Sequence, residues 1–313
     1  MIQVENLTKK FGNLTAVEDL TLQVNEGEVF GLLGPNGAGK TTTVRMLCCL
    51  ISKTAGKVKI NNYSLENKAD RINIRKIVGL LPENVGLYED MTAYKNLDFY
   101  GKMYDVPSAQ RQERIKSLLE QMDLWQKKDV LVATFSKGMK QKLALARALI
   151  HDPLILFLDE PTASLDPEAT KMVRDTLLEL KKEKRTIFLN THMLDEADRV
   201  CDKIGILKTR LITMGTPDEL HHSILKKKTL VEVDNVTENI LESIRNLGFN
   251  NFTIEKNQIT IDVVNPKKDN PKIVQAITDA EGLVESINEI VPSLEDIYLK
   301  EIKSDKKIKG EEK

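Results

Sequence analysis

The chain carries Gly34-Pro35-Asn36-Gly37-Ala38-Gly39-Lys40-Thr41-Thr42 between two apolar stretches, 29–33 and 43–50. The run fits G-x-x-x-x-G-K-[ST], the pattern of a phosphate-binding loop (P-loop). We predict a buried strand before the loop and a helix after it, which is the context the motif requires. The glycines let backbone N–H groups turn towards phosphate oxygens, and the helix start adds partial positive charge. Lys40 would reach the phosphates, and the Thr41 hydroxyl would bind Mg²⁺.

Two other interpretations of this stretch are possible. A glycine-rich turn that binds nothing is disfavoured, because the flanking stretches fit the strand and the helix that the motif requires. A dinucleotide fingerprint is also rich in glycine, but it does not call for Lys-Thr after its last glycine. The P-loop is therefore the favoured interpretation.

Composition indicates a folded protein of 313 residues, long enough for one large domain and a smaller one. Hydrophobic residues make up 41% and charged residues 30% of the chain, and the net charge of −1 gives no broad basic field for nucleic acid. No apolar run approaches the ~18 residues of a membrane span, and the first residues lack a signal-peptide pattern. The three cysteines show no C-x-x-C spacing, so we expect reduced thiols in a cytoplasmic protein.

Two later apolar runs end in polar residues that suit a ligand edge. Residues 154–158 lead into Asp159 and Glu160, and residues 186–190 lead towards Thr191 and His192. Both runs are expected to be buried parallel strands, whose carboxyl ends face the ligand in open α/β sheets. The alternatives are a buried structural acid pair and a histidine that is only a satisfied polar residue.

Residues 92–150 are predicted to form a helical block that interrupts the α/β core, with short strands near the N-terminus forming a β-subdomain. Phe11, beside a turn, is either a core aromatic or a flat platform for adenine.

After residue 217 the pattern changes to the order β-α-β-β-α-β, with helices expected over 236–247, 273–281 and 293–302. This order suggests a small ferredoxin-like α+β sandwich. The predicted domains are therefore 1–218 and 219–302, followed by a charged, disordered tail at 303–313. His221 and His222 lie beside acidic residues, where solvated charge is favoured over a metal site.

Taken together, residues 1 to about 220 resemble the nucleotide-binding subunit of an ATP-binding cassette (ABC) transporter. The motifs that follow the P-loop occur in the order of that family. They are Leu81-Pro82-Glu83 (Q-loop), Ser136-Lys137-Gly138-Met139 (signature), Asp159-Glu160 (Walker B and catalytic glutamate), Ser164-Leu165-Asp166 (D-loop) and His192 (switch histidine). The signature separates the chain from generic P-loop ATPases, and the lack of a long heptad coiled coil separates it from chromosome-maintenance ATPases.

Two motifs depart from the usual family pattern. The signature reads Phe-Ser-Lys-Gly-Met where Leu-Ser-Gly-Gly-Gln is usual, and Glu83 replaces the Q-loop glutamine. Both variants, and the C-terminal stretch 292–298, are similar to the subgroup of drug, antibiotic and sodium exporters in which the ATPase and the permease are separate chains.

The resemblance implies a P-loop NTPase fold and a mechanism for ATP hydrolysis with Mg²⁺. Phe11 would stack on adenine, Asp159 and Glu83 would support Mg²⁺, Glu160 would polarise the attacking water, and His192 would contact the γ-phosphate. Ser136 and Gly138 would meet the ATP held by a second subunit, identical or different, in a head-to-tail dimer.

The resemblance also implies partners and a location. A separate transmembrane permease would hold the dimer at the inner face of the cell membrane, and no nucleic acid is expected. The alternative is a soluble ABC ATPase that acts on nucleic acid or ribosomes. A non-catalytic regulatory module is disfavoured because Glu160 and His192 are both present.

Overall fold

The computed structural model describes residues 1–163, 165–223 and 227–290. The chain divides into two compact units, Met1–Pro217 and Asp218–Lys313. The predicted helix at 293–302 and the predicted tail at 303–313 lie outside the described residues, as does Ser164 of the predicted D-loop.

The first unit alternates strands and helices around the P-loop. In chain order its elements are β1 (Ile2–Phe11), β2 (Leu14–Val24), β3 (Val29–Leu33), α1 (Lys40–Leu47), β4 (Ala55–Ile60), β5 (Tyr63–Ser64), α2 (Lys68–Ile77), β6 (Val78–Leu81), α3 (Ala93–Met103), α4 (Ser108–Gln121), α5 (Lys137–Leu149), β7 (Ile155–Asp159), α6 (Pro167–Lys182), β8 (Thr186–Thr191), α7 (Leu194–Val200), β9 (Lys203–Lys208) and β10 (Arg210–Gly215). Helix α8 (Pro217–Ser223) follows at the division between the units.

A six-stranded sheet in the order β10-β9-β3-β8-β7-β6 forms the centre of this unit. The strands from β9 to β6 run parallel, and only β10 is antiparallel to its neighbour. Strands β3, β7 and β8 are buried along their whole length, as expected for parallel strands covered on both faces. The carboxyl ends of β3, β7 and β8 therefore lie side by side, which brings the P-loop, Asp159, Glu160 and His192 to one edge.

A second, antiparallel sheet in the order β2-β1-β4-β5 forms the β-subdomain. Its inward side chains and those of the parallel sheet belong to one hydrophobic core, which includes Leu7, Leu20, Phe30 and Phe157. Strand β1 continues to Phe11 and pairs with β2 on one side and with β4 on the other.

The helical block contains α3, α4 and α5 together with two short 3-10 turns, Trp125–Lys127 and Val132–Thr134. Thr92 caps α3 by accepting a hydrogen bond from Lys95 N at 3.2 Å, and Pro107 ends the turn before α4. The helical interruption of the α/β core is therefore present where the apolar periodicity predicted it.

The second unit contains β11 (Lys227–Val233), α9 (Glu238–Asn246), β12 (Phe252–Glu255), β13 (Gln258–Val263), α10 (Pro266–Asp279) and β14 (Val284–Ile290). Its antiparallel sheet has the order β12-β13-β11-β14. This is the split arrangement of a ferredoxin-like sandwich, and its core joins strand residues such as Ile259 and Ile261 to helix residues such as Ile244 and Ile273.

Helix α10 begins earlier than the predicted start at Ile273. Pro266 occupies the first turn, where the N–H that proline lacks would have no helical partner. The carboxylate of Asp269 accepts hydrogen bonds from Val264 N at 3.1 Å and Asn265 N at 2.8 Å, which fixes the helix entry. The two prolines in this region therefore do not delay the helix.

Candidate functional site

The P-loop connects β3 to α1, and two of its glycines, Gly34 and Gly39, have no room for a side chain. A Cβ on Gly39 would lie 2.3 Å from the Ala16 carbonyl oxygen, and a Cβ on Gly34 would lie 2.2 Å from that of Leu207. Gly39, which caps α1, has φ +100°, a region that L side chains rarely adopt. The loop is thus held against two distant parts of the chain.

Lys40 is buried inside this loop. Its Nζ donates to Gly34 O at 2.7 Å and Pro35 O at 3.2 Å, and it lies 3.7 Å from Glu160 Oε1. Burial lowers the pKa of Lys40, and the nearby carboxylates of Glu160 and Asp159 oppose that shift. The ammonium therefore joins the loop to the acids at the end of β7.

Asp159 is the last residue of β7 and is almost fully buried. Its Oδ1 accepts hydrogen bonds from Thr41 Oγ1 at 3.1 Å and from Asn190 Nδ2. Burial raises the pKa of Asp159, and the two hydrogen bonds oppose the shift. The carboxylate is thus fixed between α1 and β8.

Glu160 follows at a sharp turn of the backbone, with φ +53°. Its N–H donates to Asn190 O at 2.8 Å, and its Oε2 accepts from His192 Nδ1 at 2.8 Å and from His192 N at 3.3 Å. A left-handed conformation at a non-glycine residue costs free energy and is concentrated at functional sites. The side chain is held between Lys40 and His192.

An open pocket of about 500 Å³ lies over the P-loop. Its lining consists of Phe11, Leu14, Thr15, Ala16, Pro35, Asn36, Gly37, Ala38, Gly39, Lys40, Thr41, Thr42, Glu83, Glu160 and Thr209. Phe11 is half exposed at one end, and Lys9 Nζ lies 4.6 Å from the centre of its ring. A flat base could therefore reach the ring from the pocket.

Glu83 follows β6 and lines the same pocket, although its side chain is exposed. The loop after it is anchored to the helical block. Buried Arg147 of α5 donates to Gly86 O at 2.9 Å and Leu80 O at 3.2 Å, and the Tyr100 hydroxyl donates to Gly86 O at 3.0 Å. The structure therefore joins the pocket wall at Glu83 to α3 and α5.

The predicted signature residues, and Asp166 of the predicted D-loop, lie outside this pocket. Ser136 caps α5 by accepting from Met139 N at 3.3 Å, and Lys137, Gly138 and Met139 form the first turn. Asp166 caps α6 by accepting from Ala169 N at 2.8 Å. A Cβ on Gly138 would lie 3.1 Å from that of Ala169, so the two helix starts pack together.

Sequence reasoning missed three residues that hold the site together. Asn190 contacts both acids, Gln141 Nε2 donates to Pro161 O at 2.8 Å, and Arg147 fixes the loop after β6. Only Asn190 left a signal, because it is a polar residue that follows the apolar run 187–189 at the edge where Asp159 lies. Gln141 and Arg147 occupy ordinary helical positions.

Two observations indicate that the pocket fits a nucleotide with Mg²⁺. The loop at Gly39 leaves a cradle of backbone without side chains, and the buried Oδ1 of Asn190, beside Asp159, has no hydrogen-bond partner among the described residues. No group of three or more His, Cys, Asp or Glu in that part of the chain is arranged to hold a metal. Mg²⁺ is usually bound by one or two carboxylates together with phosphate oxygens, and the Asp159 carboxylate lies beside the Thr41 hydroxyl at the end of the loop.

Two family models match the chain. Residues 17–163 match the model described as ABC transporter, and residues 215–302 match the C-terminal domain of ATP-binding protein DrrA1-3-like. The chain is 32% identical over 308 residues to the linearmycin resistance ATP-binding protein LnrL of Bacillus subtilis, covering 96% of this chain and 97% of that protein. The chain belongs to the ATP-binding subunits of ABC transporters.

Other relatives agree with this identification. The ATP-binding subunit is 40% identical over 221 residues to Nod factor export ATP-binding protein I of Ralstonia nicotianae, covering 70% of this chain and 68% of the relative. A solved ATP-binding subunit of an ABC transporter has a TM-score of 0.65 and 32% identity, covering 71% of this chain and 92% of that one. The predicted fold class and ATPase activity are confirmed.

A dimeric ATP-binding cassette in a post-hydrolysis state with ADP and Pi bound is also similar, with a TM-score of 0.63 and 25% identity over 69% of this chain and 99% of that chain.

Among the described residues, no helix of the ATP-binding subunit has both the length and the apolar character to cross a membrane.

Proposed function

We propose that the pocket over the P-loop binds and hydrolyses ATP, and that this hydrolysis powers export through a separate permease. The observation that carries the proposal is the convergence of Lys40, Asp159, Glu160 and His192 at the carboxyl edge of the parallel sheet. Phosphoryl transfer depends mainly on positioning and on neutralising charge, and these groups supply both.

Each residue has a role in this proposal. Phe11 stacks on adenine, and the backbone of residues 34–42 binds the phosphates together with Lys40. Thr41, Asp159 and Glu83 supply oxygen ligands for Mg²⁺, which neutralises phosphate charge when it is bound.

The attacking water is activated by Glu160. Its carboxylate accepts a proton from the water as the bond from the water oxygen to the γ-phosphorus forms and the bond from that phosphorus to the bridging oxygen breaks, with ADP as the leaving group. The hydrogen bond from His192 Nδ1 and the nearby Lys40 keep that carboxylate in place. His192 also lies at the edge where the terminal phosphate would be held.

A second subunit is part of the proposal. Ser136, Lys137, Gly138 and Met139 lie outside the pocket of their own chain, at a helix N-terminus suited to an anion. We assign them to the ATP bound by the opposite subunit in a head-to-tail homodimer or heterodimer, with Asp166 at the contact between the two.

The transported substrate is proposed from the relatives. One relative is named for linearmycin resistance and another for Nod factor export. We therefore propose a drug, antibiotic, lipid-like or ionic substrate, and a position at the cytoplasmic face of the membrane through the permease. The Glu83 and signature variants support this subgroup.

The replacement Glu160→Gln tests the catalytic role. It removes the acceptor carboxylate but keeps the shape, so we expect ATP binding to survive and turnover to fall by at least ~100-fold. Gel filtration should show an ATP-dependent dimer. Glu242→Gln, at an exposed acid of the second unit, should behave like wild type. Turnover near the wild-type value in Glu160→Gln would exclude the assigned role.

A further inference from the structure

Asn190 is the residue of β8 that lies directly opposite Asp159 of β7. It is fully buried, although it is polar and the three residues before it in β8, 187–189, are apolar. A buried amide is costly unless it is hydrogen-bonded, so its contacts are informative.

The side-chain amide of Asn190 can take only one orientation here. Nδ2 donates to Asp159 Oδ1, whereas the reversed amide would place Oδ1 against a carboxylate that has no proton to donate. Thr41 Oγ1 donates to the same Asp159 oxygen at 3.1 Å. Two donors from opposite sides, α1 and β8, thus fix the rotation of the Asp159 carboxylate.

The backbone of Asn190 holds the neighbouring acid. Its carbonyl accepts the Glu160 N–H at 2.8 Å, at the residue whose φ is +53°. That bond does not depend on the side chain of residue 190. A replacement of Asn190 can therefore remove the contact to Asp159 and keep the backbone bond that sets the turn at Glu160.

We infer that Asn190 is a positioning residue that orients the Asp159 carboxylate for Mg²⁺ bound with the nucleotide. The inference rests on the proposed role of Asp159 in holding Mg²⁺. Groups that hydrogen-bond to metal ligands fix ligand orientation, and their loss typically lowers metal affinity by about 10- to 100-fold. If Asn190 only stabilised the edge of the sheet, its replacement would change nucleotide affinity equally with and without Mg²⁺.

The test uses the full-length protein and a fluorescent, non-hydrolysable ATP analogue. Its dissociation constant is measured in excess MgCl₂ and in EDTA. The constant in EDTA divided by the constant in MgCl₂, here called the Mg²⁺ ratio, reports how much Mg²⁺ strengthens binding. Asn190→Leu keeps the number and branching of the side-chain heavy atoms and removes the donor. Asn190→Val has a smaller side chain than leucine and favours strands, and it is used in case leucine does not fit. Thr186→Val is the matched control, because Thr186 is a buried polar residue of β8 that accepts from Gly27 N at 2.9 Å, away from the acids.

We expect both Asn190 variants to bind the analogue in EDTA as wild type does. Their Mg²⁺ ratio should be about 10-fold lower than that of the wild-type protein. If the wild-type ratio is below about 10, the ratio of the variants should fall to one. Thr186→Val should keep the wild-type ratio.

Three results would overturn the inference. A wild-type ratio in both Asn190 variants would show that Asp159 does not need the amide. Equal weakening with and without Mg²⁺ would show a general structural role. A ratio of one in the wild-type protein would overturn the metal site proposed at Asp159 and the inference with it.

Discussion

At the scale of single residues, Glu83 is where this chain departs from the usual family motif inside the pocket. Its side chain lines the same pocket as Lys40 and Thr41, and its negative charge contributes to the raised pKa of Asp159. A carboxylate at this position supplies an oxygen for Mg²⁺, as glutamine would, and adds a charge.

We predict different results for two replacements of Glu83. Glu83→Gln keeps an oxygen and should retain ATPase activity, whereas Glu83→Ala should raise the Mg²⁺ concentration for half-maximal activity and weaken coupling to transport. ATPase activity is measured against Mg²⁺ concentration for each protein. Asp90→Asn, at an exposed acid of the same loop outside the pocket, is the control. If the curves of ATPase activity against Mg²⁺ concentration coincide for wild type, Glu83→Gln and Glu83→Ala, Glu83 does not contact the metal and is a surface residue.

His151 is a half-buried histidine outside the nucleotide site. Its ring stacks on Tyr104 with centroids 3.7 Å apart, and Nε2 donates to Val78 O at 3.0 Å, since a carbonyl oxygen only accepts. Nδ1 has no hydrogen-bond partner among the described residues. Burial lowers the pKa of His151 from 6.5 to about 4, so the folded protein holds the neutral ring.

This shift predicts a loss of stability in acid. Between pH 6.5 and 4 the unfolded chain binds a proton that the folded chain does not, so the free energy of unfolding falls as the pH decreases. The contribution of His151 should be about 2 kcal/mol between pH 7.5 and 5.

Urea unfolding followed by the fluorescence of Trp125, the single tryptophan, measures this effect. His151→Gln cannot take up the proton, so its free energy of unfolding should fall less steeply over the same pH range. If the free energy of unfolding falls equally steeply with decreasing pH in the wild-type protein and in His151→Gln, the loss of stability in acid does not come from His151.

At the scale of elements, the strand–loop–helix unit of β3 and α1 depends on glycine at position 39. A Cβ there would overlap the Ala16 carbonyl oxygen at 2.3 Å, and the φ of +100° adds backbone strain. The loop would have to move away from β2 to accept a side chain.

Gly39→Ala should therefore weaken nucleotide binding by at least about 10-fold, which corresponds to about 1.4 kcal/mol. Titration with a fluorescent ATP analogue measures the change. Gly248→Ala is the matched control, because Gly248 has φ +92° but open space around its Cβ position. It should cost some stability and leave binding unchanged. Equal binding by both variants and wild type would refute the requirement at position 39.

At the scale of the whole molecule, the described pocket is built entirely within the first unit, from Phe11 to Thr209. The second unit has its own sheet and its own hydrophobic core. We propose that residues 219–302 regulate or assist contacts of the dimer or the permease and supply no catalytic group.

A protein truncated after residue 223, which keeps α8 complete, should bind ATP within about 3-fold of the full chain, a difference below 1 kcal/mol. Binding is measured with the same ATP analogue, and circular dichroism checks that the truncated protein is folded. Loss of binding in a folded truncated protein would show that the second unit helps to build the site.

The sequence by itself determined the P-loop, the helical block and the order of elements in the second unit. These features have local signals, because glycine spacing, apolar periodicity and turn residues each act within a few positions along the chain. It also determined that Asp159, Glu160 and His192 lie at one edge, since parallel buried strands end on the same side of a sheet. Their roles in catalysis stay predictions.

Only the tertiary structure decided the strand order and the contacts that hold the site. Thr41 bonds to Asp159, Gly39 packs on Ala16 and Arg147 fixes the loop at Gly86, each pair far apart along the chain. Local periodicity shows which residues are buried but not which buried strand pairs with which, because that pairing depends on hydrogen bonds and packing between distant segments. The role inferred for Asn190 arises from such a pairing, since β7 and β8 become neighbours only in the folded sheet.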